Sequence, residues 1–408
     1  MAKKELELYI HIPFCMKKCN YCDFLSFTAD EDTQRRYIEA LNREIAFYGK
    51  HCKDYVLSTV YIGGGTPSWL GEEEIAAVME TVYAAFSVKE DAEVSLECNP
   101  GTVTARKLSV YRQSGINRLS IGLQSTDNRE LKMLGRVHTF EQFLKTYELA
   151  REAGFANINV DLMNSLPGQT TDSFLATLQK VCRLRPEHVS AYSLIIEKGT
   201  PFYDLYKFDA VKQAAGMQTD ALPTEEEVCA MTKMTERVLA EHGYVHYEVS
   251  NFALPGYACR HNIGYWKRAE YLGVGLGAAS LLSNIRYTNT GELYAYLEGS
   301  ACLRPGLWEN PKEDGQTEEL PAVNLHVSVE RIDRRGQMEE FMFLGLRMMD
   351  GISRQEFEEC FGVPIEAVYQ ETMAHLQEEG LLIKRAGRIY LSERGQEVSN
   401  YALAQFLS

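Results

Sequence analysis

No stretch of this 408-residue chain is apolar for long enough to cross a membrane. The longest nearly apolar run, 271-YLGVGLGAASLL-282, falls far short of the ~20 residues a membrane helix needs. The N-terminus, MAKKELELYI, lacks the apolar core of a signal peptide, so a cytoplasmic protein with at most peripheral membrane contact is expected. Positive charge is also short. Lys and Arg total 42 against 57 Asp and Glu, a net charge of −15. That balance argues against binding nucleic acid or an anionic membrane surface, although a local basic pocket remains open. The ten cysteines are too sparse for a disulfide scaffold. Seven of them, Cys52, Cys98, Cys182, Cys229, Cys259, Cys302 and Cys360, are scattered, and most of them read as small buried hydrophobes.

The other three form Cys15-x3-Cys19-x2-Cys22 within 11-HIPFCMKKCNYCDF-24, and here a fourth ligand is missing. A structural zinc or iron–sulfur site normally takes four protein ligands. A zinc site would have to recruit Cys52 or His11. His11 lies inside an alternating strand, and no second Cys-x2-Cys follows. The alternative is a cubane iron–sulfur cluster on three thiolates, with one iron open to a small molecule.

The 45% hydrophobic and 24% charged content suits a globular chain of two or three domains. Strand-like runs alternate with helical patterns. Leu6, Leu8, Ile10 and Ile12 alternate first, followed by 56-VLSTVYI-62, 93-EVSLE-97, 118-RLSIGLQ-124, 156-ANINVDLM-163 and 188-HVSAYSLII-196. Helices are expected between them near 72–86, 104–113, 140–152 and 172–181. The rhythm predicts an α/β fold with six parallel strands curled into a partial (β/α)6 barrel. Each strand meets polar chemistry at its C-terminal end: the cysteine cluster, Gly63-Gly64-Gly65-Thr66-Pro67, Glu97, Gln124 and Asp161. Ligands of such folds bind beyond those ends, so the residues point to one site on one rim. Residues 1–300 are expected to form this unit and 301–336 a polar linker or insertion. Residues 337–408 should form a smaller C-terminal domain of helices and a hairpin turning at Ala386-Gly387, resembling a winged helix. Gly273-x-Gly275-x-x-Ala278 mimics a dinucleotide fingerprint but follows no clear strand, and it reads as a packed turn.

Cys-x3-Cys-x2-Cys directly after a first strand resembles the radical S-adenosylmethionine signature. In that superfamily a 4Fe–4S cluster on three cysteines, here Cys15, Cys19 and Cys22, leaves its fourth iron to S-adenosylmethionine. Reduction then cleaves the sulfonium to a 5′-deoxyadenosyl radical. By the same resemblance, Tyr9, Tyr21, Gly64, Gly65, Thr66, Glu97, Gln124, Arg136 and Asp161 match cofactor-contacting positions. A second stretch, 261-HNIGYW-266, read as a loop, closely resembles the HemW-type heme chaperones. So do GGGTPS, 161-DLMNSLPGQT-170, 191-AYSLIIEKGTPFY-203 and 339-EEFMFLGLRMMDGI-352. The resemblance implies heme as bound cargo, with His261 as its axial ligand. It also implies heme-accepting clients, which would be respiratory proteins, and a one-electron reductant such as flavodoxin or ferredoxin. The sister family, the oxygen-independent coproporphyrinogen III oxidases, carries a further cysteine where this chain has Phe24, and a longer N-terminal extension. An oxidase acting on coproporphyrinogen III, or another radical enzyme acting on porphyrin, is the alternative, and whether the chain is an enzyme stays open. Relatives often have His where this chain has Ala279.

Overall fold

Apolar alternation builds the first strand, β1 (Lys4–Ile12), on which Leu6, Leu8, Ile10 and Ile12 are fully buried. The computed structural model describes residues 3–309 and 317–407. After β1 come α1 (Glu31–His51), β2 (Tyr55–Gly64), α2 (Glu72–Ala85), β3 (Val88–Cys98), α3 (Ala105–Gln113) and β4 (Arg118–Gln124). Then follow α4 (Asn128–Met133), α5 (Phe140–Glu152), β5 (Ile158–Asn164), α6 (Thr171–Leu184) and β6 (His188–Ser193). The helices start where the sequence supplies caps. Asp30, Thr104, Thr139 and Thr170 accept from backbone N–H groups of the first turns of α1, α3, α5 and α6. Strands β1 to β6 lie side by side and parallel.

Beyond them lie α7 (Pro201–Ala214), α8 (Glu225–Glu241), β7 (Val245–Glu248), β8 (Asn251–Ala253), α9 (Arg260–Trp266), β9 (Tyr271–Val274), β10 (Ala279–Leu282), β11 (Ile285–Asn289), α10 (Leu293–Ala301), β12 (Gly306–Glu309), β13 (Thr317–Leu320) and β14 (His326–Arg331). They extend the sheet to twelve strands, with β14 at one edge and β7 at the other. The barrel is therefore partial. Strand β9 pairs with β1 in parallel, whereas the outermost strands run antiparallel. The apolar core lies mostly between the outer faces of the strands and the helices.

Three sequence expectations change. The 261-HNIGYW-266 stretch lies within the short helix α9 rather than a loop. The glycine-rich turn does follow a strand, β9, and leads into β10. Residues 301–336 are not a plain linker. Strands β12 and β13 pair as a hairpin, and β14 joins the main sheet along β11, where His326 stacks on Tyr287 with centroids 4.2 Å apart. The centre of the polar insertion, 310–316, lies outside the described residues.

The C-terminal part contains α11 (Arg334–Gly345), β15 (Ile352–Ser353), α12 (Arg354–Phe361), α13 (Glu366–Glu378), β16 (Leu382–Arg385), β17 (Arg388–Leu391), α14 (Glu393–Glu397) and α15 (Ser399–Ala404). It has its own apolar cluster around Phe357, Ile365, Tyr369, Met373 and Ile389. The element order through β17, with a three-stranded sheet, is that of a winged helix.

Candidate functional site

The cysteine loop leaves β1 and is clamped at once to the turn after β2. Gly65 N donates to Ile12 O at 2.8 Å, and Thr66 N donates to Phe14 O at 2.8 Å. Gly64 makes the turn possible. Its φ is +121°, and a Cβ there would come within 2.7 Å of the His11 ring. The far side of the loop is tied down by Asn20, whose Nδ2 donates to Met133 O at 2.8 Å and whose N donates to Leu134 O at 3.0 Å.

A chain of polar contacts links two of the three cysteines. Cys15 Sγ lies 3.4 Å from Thr66 Oγ1. Asn99 Nδ2 donates to that hydroxyl at 2.8 Å, and Arg136 Nη2 donates to Asn99 Oδ1 at 2.6 Å. The same guanidinium donates to Gly122 O at 2.6 Å and reaches Cys19 Sγ through Nη1 at 3.6 Å. Arg136, Asn99 and Gln124 converge on the space that a side chain at Gly122 would fill, each about 3 Å from its Cβ position. Gln124 has φ 71° at a register slip between β4 and β5. Left-handed backbone at a bulky residue is held by its surroundings and clusters at binding sites.

Glu97 accepts from Gly64 N at 3.0 Å and from Tyr61 OH at 3.1 Å. Asp161 accepts from Ser120 Oγ at 3.2 Å and from Asn159 Nδ2 at 2.6 Å. Burial raises both carboxyls above their ordinary range, and at Glu97 the neighbouring charge of Asp161 is the second cause. Tyr9 OH meets His11 Nδ1 at 3.0 Å, and the Tyr9 ring stacks on Tyr61. Tyr21 packs with Phe202 and Tyr206 of α7 beneath the loop. The structure thus gathers Cys15, Cys19, Cys22, Tyr9, Tyr21, Gly64, Gly65, Thr66, Glu97, Gln124, Arg136 and Asp161 around the C-terminal ends of β1 to β5.

Glu97 gives a pH prediction. Its carboxyl is pushed from 4.5 up to about 7, first by burial and then by Asp161. A raised folded value means that the folded chain holds the proton more tightly. The stabilisation is complete below 4.5 and is lost as pH rises through about 7. Glu97→Gln is expected to flatten the stability profile of the cofactor-free protein by roughly 3 kcal/mol across this window. Denaturant unfolding at several pH values measures it, and parallel profiles for both chains would contradict the assignment.

His261 lies below this rim, one ring away from it. It sits in α9, 2% exposed, with Nδ1 2.7 Å from Thr59 Oγ1 and Nε2 3.1 Å from Tyr265 OH. Its ring stacks on Tyr61 at 5.1 Å. Thr59 precedes Gly64 by five residues on β2, about 16 Å along a strand. Helix α9 therefore packs beneath the rim, with Tyr61 between His261 and Glu97. Glu93 caps it from β3, accepting from Arg260 N at 3.1 Å and His261 N at 3.3 Å. Burial and the nearby Arg118 guanidinium push the imidazole down to about 3. Both ring nitrogens are hydrogen-bonded and the ring is enclosed. Arg268 Nε bonds Glu340 Oε2 of α11 at 2.7 Å, and Arg260 reaches Asp91.

Two features escaped the sequence. Asn99 bridges Thr66 and Arg136, and the only signal for it was the turn-forming Asn99-Pro100-Gly101 after β3. The second is the polar barrel interior. Arg118 is 1% exposed, and its Nε and Nη1 have no hydrogen-bond partner, nor does Ser95 Oγ on the neighbouring strand. His188 bonds Asn159 Oδ1 at 2.6 Å and Tyr247 OH at 2.8 Å.

Among the described residues, no three Cys, His, Asp or Glu side chains stand close enough to hold one metal ion. The three thiols converge on one loop without meeting at a point, and Arg136 stands beside Cys19. This donor set fits a polynuclear group in which each sulfur takes its own iron.

Comparisons agree with that chemistry. The Radical SAM superfamily matches residues 9–181, and the HemN C-terminal domain matches residues 332–398. The "Heme chaperone HemW" of Lactococcus lactis subsp. lactis is 35% identical over 407 residues, covering 100% of this chain and 98% of that protein. The proteins of that name from Bacillus subtilis and Escherichia coli are 33% and 31% identical, covering 98% and 99% of this chain and 98% of each relative. Among solved structures, coproporphyrinogen III oxidase (HemN) from Escherichia coli aligns with a TM-score of 0.79 at 22% identity. The match spans 100% of this chain and 91% of that one, a likeness of fold. A radical SAM domain takes a 4Fe–4S cluster and S-adenosylmethionine. The chain belongs to the HemW family of radical SAM heme chaperones.

Proposed function

We propose that this protein binds heme and hands it to heme-requiring client proteins, including respiratory ones, in the cytoplasm. The observation that carries the reading is end-to-end identity of 31–35% with proteins named heme chaperones. Cys15, Cys19 and Cys22 hold the 4Fe–4S cluster. Tyr9, Tyr21, Gly64, Gly65, Thr66, Glu97, Gln124, Arg136 and Asp161 surround S-adenosylmethionine. When bound, the pair supplies one-electron chemistry at the sulfonium, fed by a reductant such as flavodoxin or ferredoxin. In this arrangement Arg136 orients a cysteine and steadies Asn99, while Glu97 and the backbone of Gly64 fix the turn above β2.

Phe24 stands where the oxidases carry a further cysteine, and it is 66% exposed. Its backbone carbonyl accepts from Lys18 Nζ at 2.9 Å, which closes the loop without a fourth thiol. No helix among the described residues is long and apolar enough to cross a membrane, which accords with a cytoplasmic donor meeting clients at most at a membrane surface. The test is to reconstitute the protein anaerobically and present it with hemin and an apo-acceptor. Heme should bind and then appear in the acceptor. Retention of all heme by the donor, or none bound at the outset, would contradict the reading.

A further inference from the structure

The loop that carries the three thiols leaves apolar side chains in water. Met16 is 45% exposed and Phe24 66%, and Leu25, which rests against Gly277, is still 37% exposed. The backbone beneath them is firmly held. Cys15 N donates to Phe27 O and Phe27 N donates to Pro13 O, both at 2.9 Å, and His11 Nε2 lies 2.9 Å from Leu25 O. Lys18 Nζ donates to Phe24 O at 2.9 Å, which places the two ends of the loop side by side. A held loop with an exposed aromatic side chain offers a partner a surface that costs little to order.

Two further observations bear on what covers this surface. The first is charge. The chain has a net charge of −15, yet residues 15–25 carry Lys17 and Lys18 against Asp23 alone. Both lysines are exposed, and among the described residues neither forms an ion pair, whereas Lys89, Lys212 and Lys233 are each held by a carboxylate. The second is position. Lys17 is two residues from both Cys15 and Cys19, and Phe24 is two residues from Cys22. Each Cα therefore lies within about 7 Å of a thiol-bearing Cα. Thr66 and Arg136 reach Cys15 and Cys19 from the strand ends, which leaves the solvent side of the loop to a partner.

We propose that Met16, Lys17, Lys18, Phe24 and Leu25 form the docking surface for an acidic electron carrier of the flavodoxin class. This rests on the reading in which a one-electron reductant feeds the cluster, and it adds where that reductant binds. One electron leaves the carrier's reduced flavin and enters the cluster held by Cys15, Cys19 and Cys22, with no bond made or broken. An apolar flavin edge ringed by carboxylates matches an exposed aromatic side chain flanked by two ammonium groups. A carrier docked here stands against the cysteine loop itself, and electron transfer weakens steeply with distance.

The test uses the full-length reconstituted protein as wild type, Phe24→Ser and Lys17→Glu, both substitutions lying at the surface. Each is titrated with oxidised flavodoxin at low and high salt, and the complex is treated with a carbodiimide that couples ammonium groups to carboxylates. Reduction of the cluster by reduced flavodoxin is timed beside reduction by dithionite. Phe24→Ser is expected to bind flavodoxin roughly tenfold more weakly at either salt concentration. Lys17→Glu should weaken binding several-fold at low salt, with the difference shrinking at high salt. The carbodiimide should link wild type to flavodoxin through Lys17 or Lys18. Reduction by flavodoxin should slow in both variants, while iron and sulfide content, S-adenosylmethionine affinity and reduction by dithionite match wild type. Unchanged flavodoxin affinity in both variants, or links confined to other lysines, would place the dock elsewhere. Variants that keep flavodoxin binding but fail to pass heme on would assign the surface to a client protein. Binding of ferredoxin but not flavodoxin at this surface would replace the occupant. Each of those results overturns the proposal, whereas a wild-type protein that takes up no cluster overturns the underlying reading.

Discussion

Cys19→Ala is expected to leave reconstitution with iron and sulfide at the level of a metal-free control. The structure gives the reason. Cys19 is the thiol that Arg136 reaches, and Arg136 is joined through Asn99 and Thr66 to Cys15. Removing one sulfur from a three-thiolate set leaves two irons without a protein ligand, and Phe24 and Asp23 supply no sulfur nearby. The seven remaining scattered cysteines cannot substitute. Cys52, Cys98, Cys182 and Cys259 are buried elsewhere, and burial raises each of these thiols above its ordinary range. Iron and sulfide analysis with EPR of the reduced protein measures the effect. A variant carrying full iron and sulfide would contradict the assignment, as would a wild-type protein holding stoichiometric zinc and no sulfide.

His261→Ala is expected to destabilise the fold by about 3–5 kcal/mol and to leave the heme absorption bands where they are. The imidazole satisfies Thr59 Oγ1 and Tyr265 OH in a sealed interior and stacks on Tyr61. Truncation leaves both hydroxyls unpaired and opens a cavity, two of the mechanisms that produce large losses. Helix α9 would lose its anchor on β2, and with it part of its seat against α11, where Arg268 meets Glu340 and Arg347 lies over the Trp266 ring. Denaturant unfolding and a heme difference spectrum on the same samples decide it. Wild-type stability combined with shifted Soret and visible bands would return His261 to the iron.

The rim was legible because its chemistry is local in sequence. Gly64, Gly65, Thr66, Glu97 and Gln124 lie within two residues of a strand's C-terminal end, and strand ends are easy to find when apolar alternation stops at a glycine run or a lone carboxylate. Helix α5 falls at 140–152 and the hairpin turn at Ala386-Gly387, as periodicity and turn chemistry require. Helix α1 carried the same kind of signal, with Asp30 as cap and Tyr37, Ile38, Leu41, Ile45 and Tyr48 at helical spacing, yet a reading keyed to strand ends passes over it. The position of α9 was not legible. A seven-residue helix between two short strands has too little periodicity to stand out, and its depth in the barrel is set by Thr59 and Glu93, some 170 to 200 residues earlier. The hexapeptide advertises an imidazole and two aromatics. Only the packing shows that the imidazole is spent on internal hydrogen bonds. The polar lining was visible in principle: in 118-RLSIGLQ-124 every second residue is polar or glycine, which in a strand buried on both faces means a polar interior.

The most direct test of the account gives the reconstituted, reduced protein S-adenosylmethionine with either coproporphyrinogen III or hemin and an apo-acceptor, and follows the porphyrins by mass. The account predicts that coproporphyrinogen III is recovered unchanged, while heme binds and then moves to the acceptor. Formation of the divinyl product with release of carbon dioxide, from a protein that binds no heme, would contradict it.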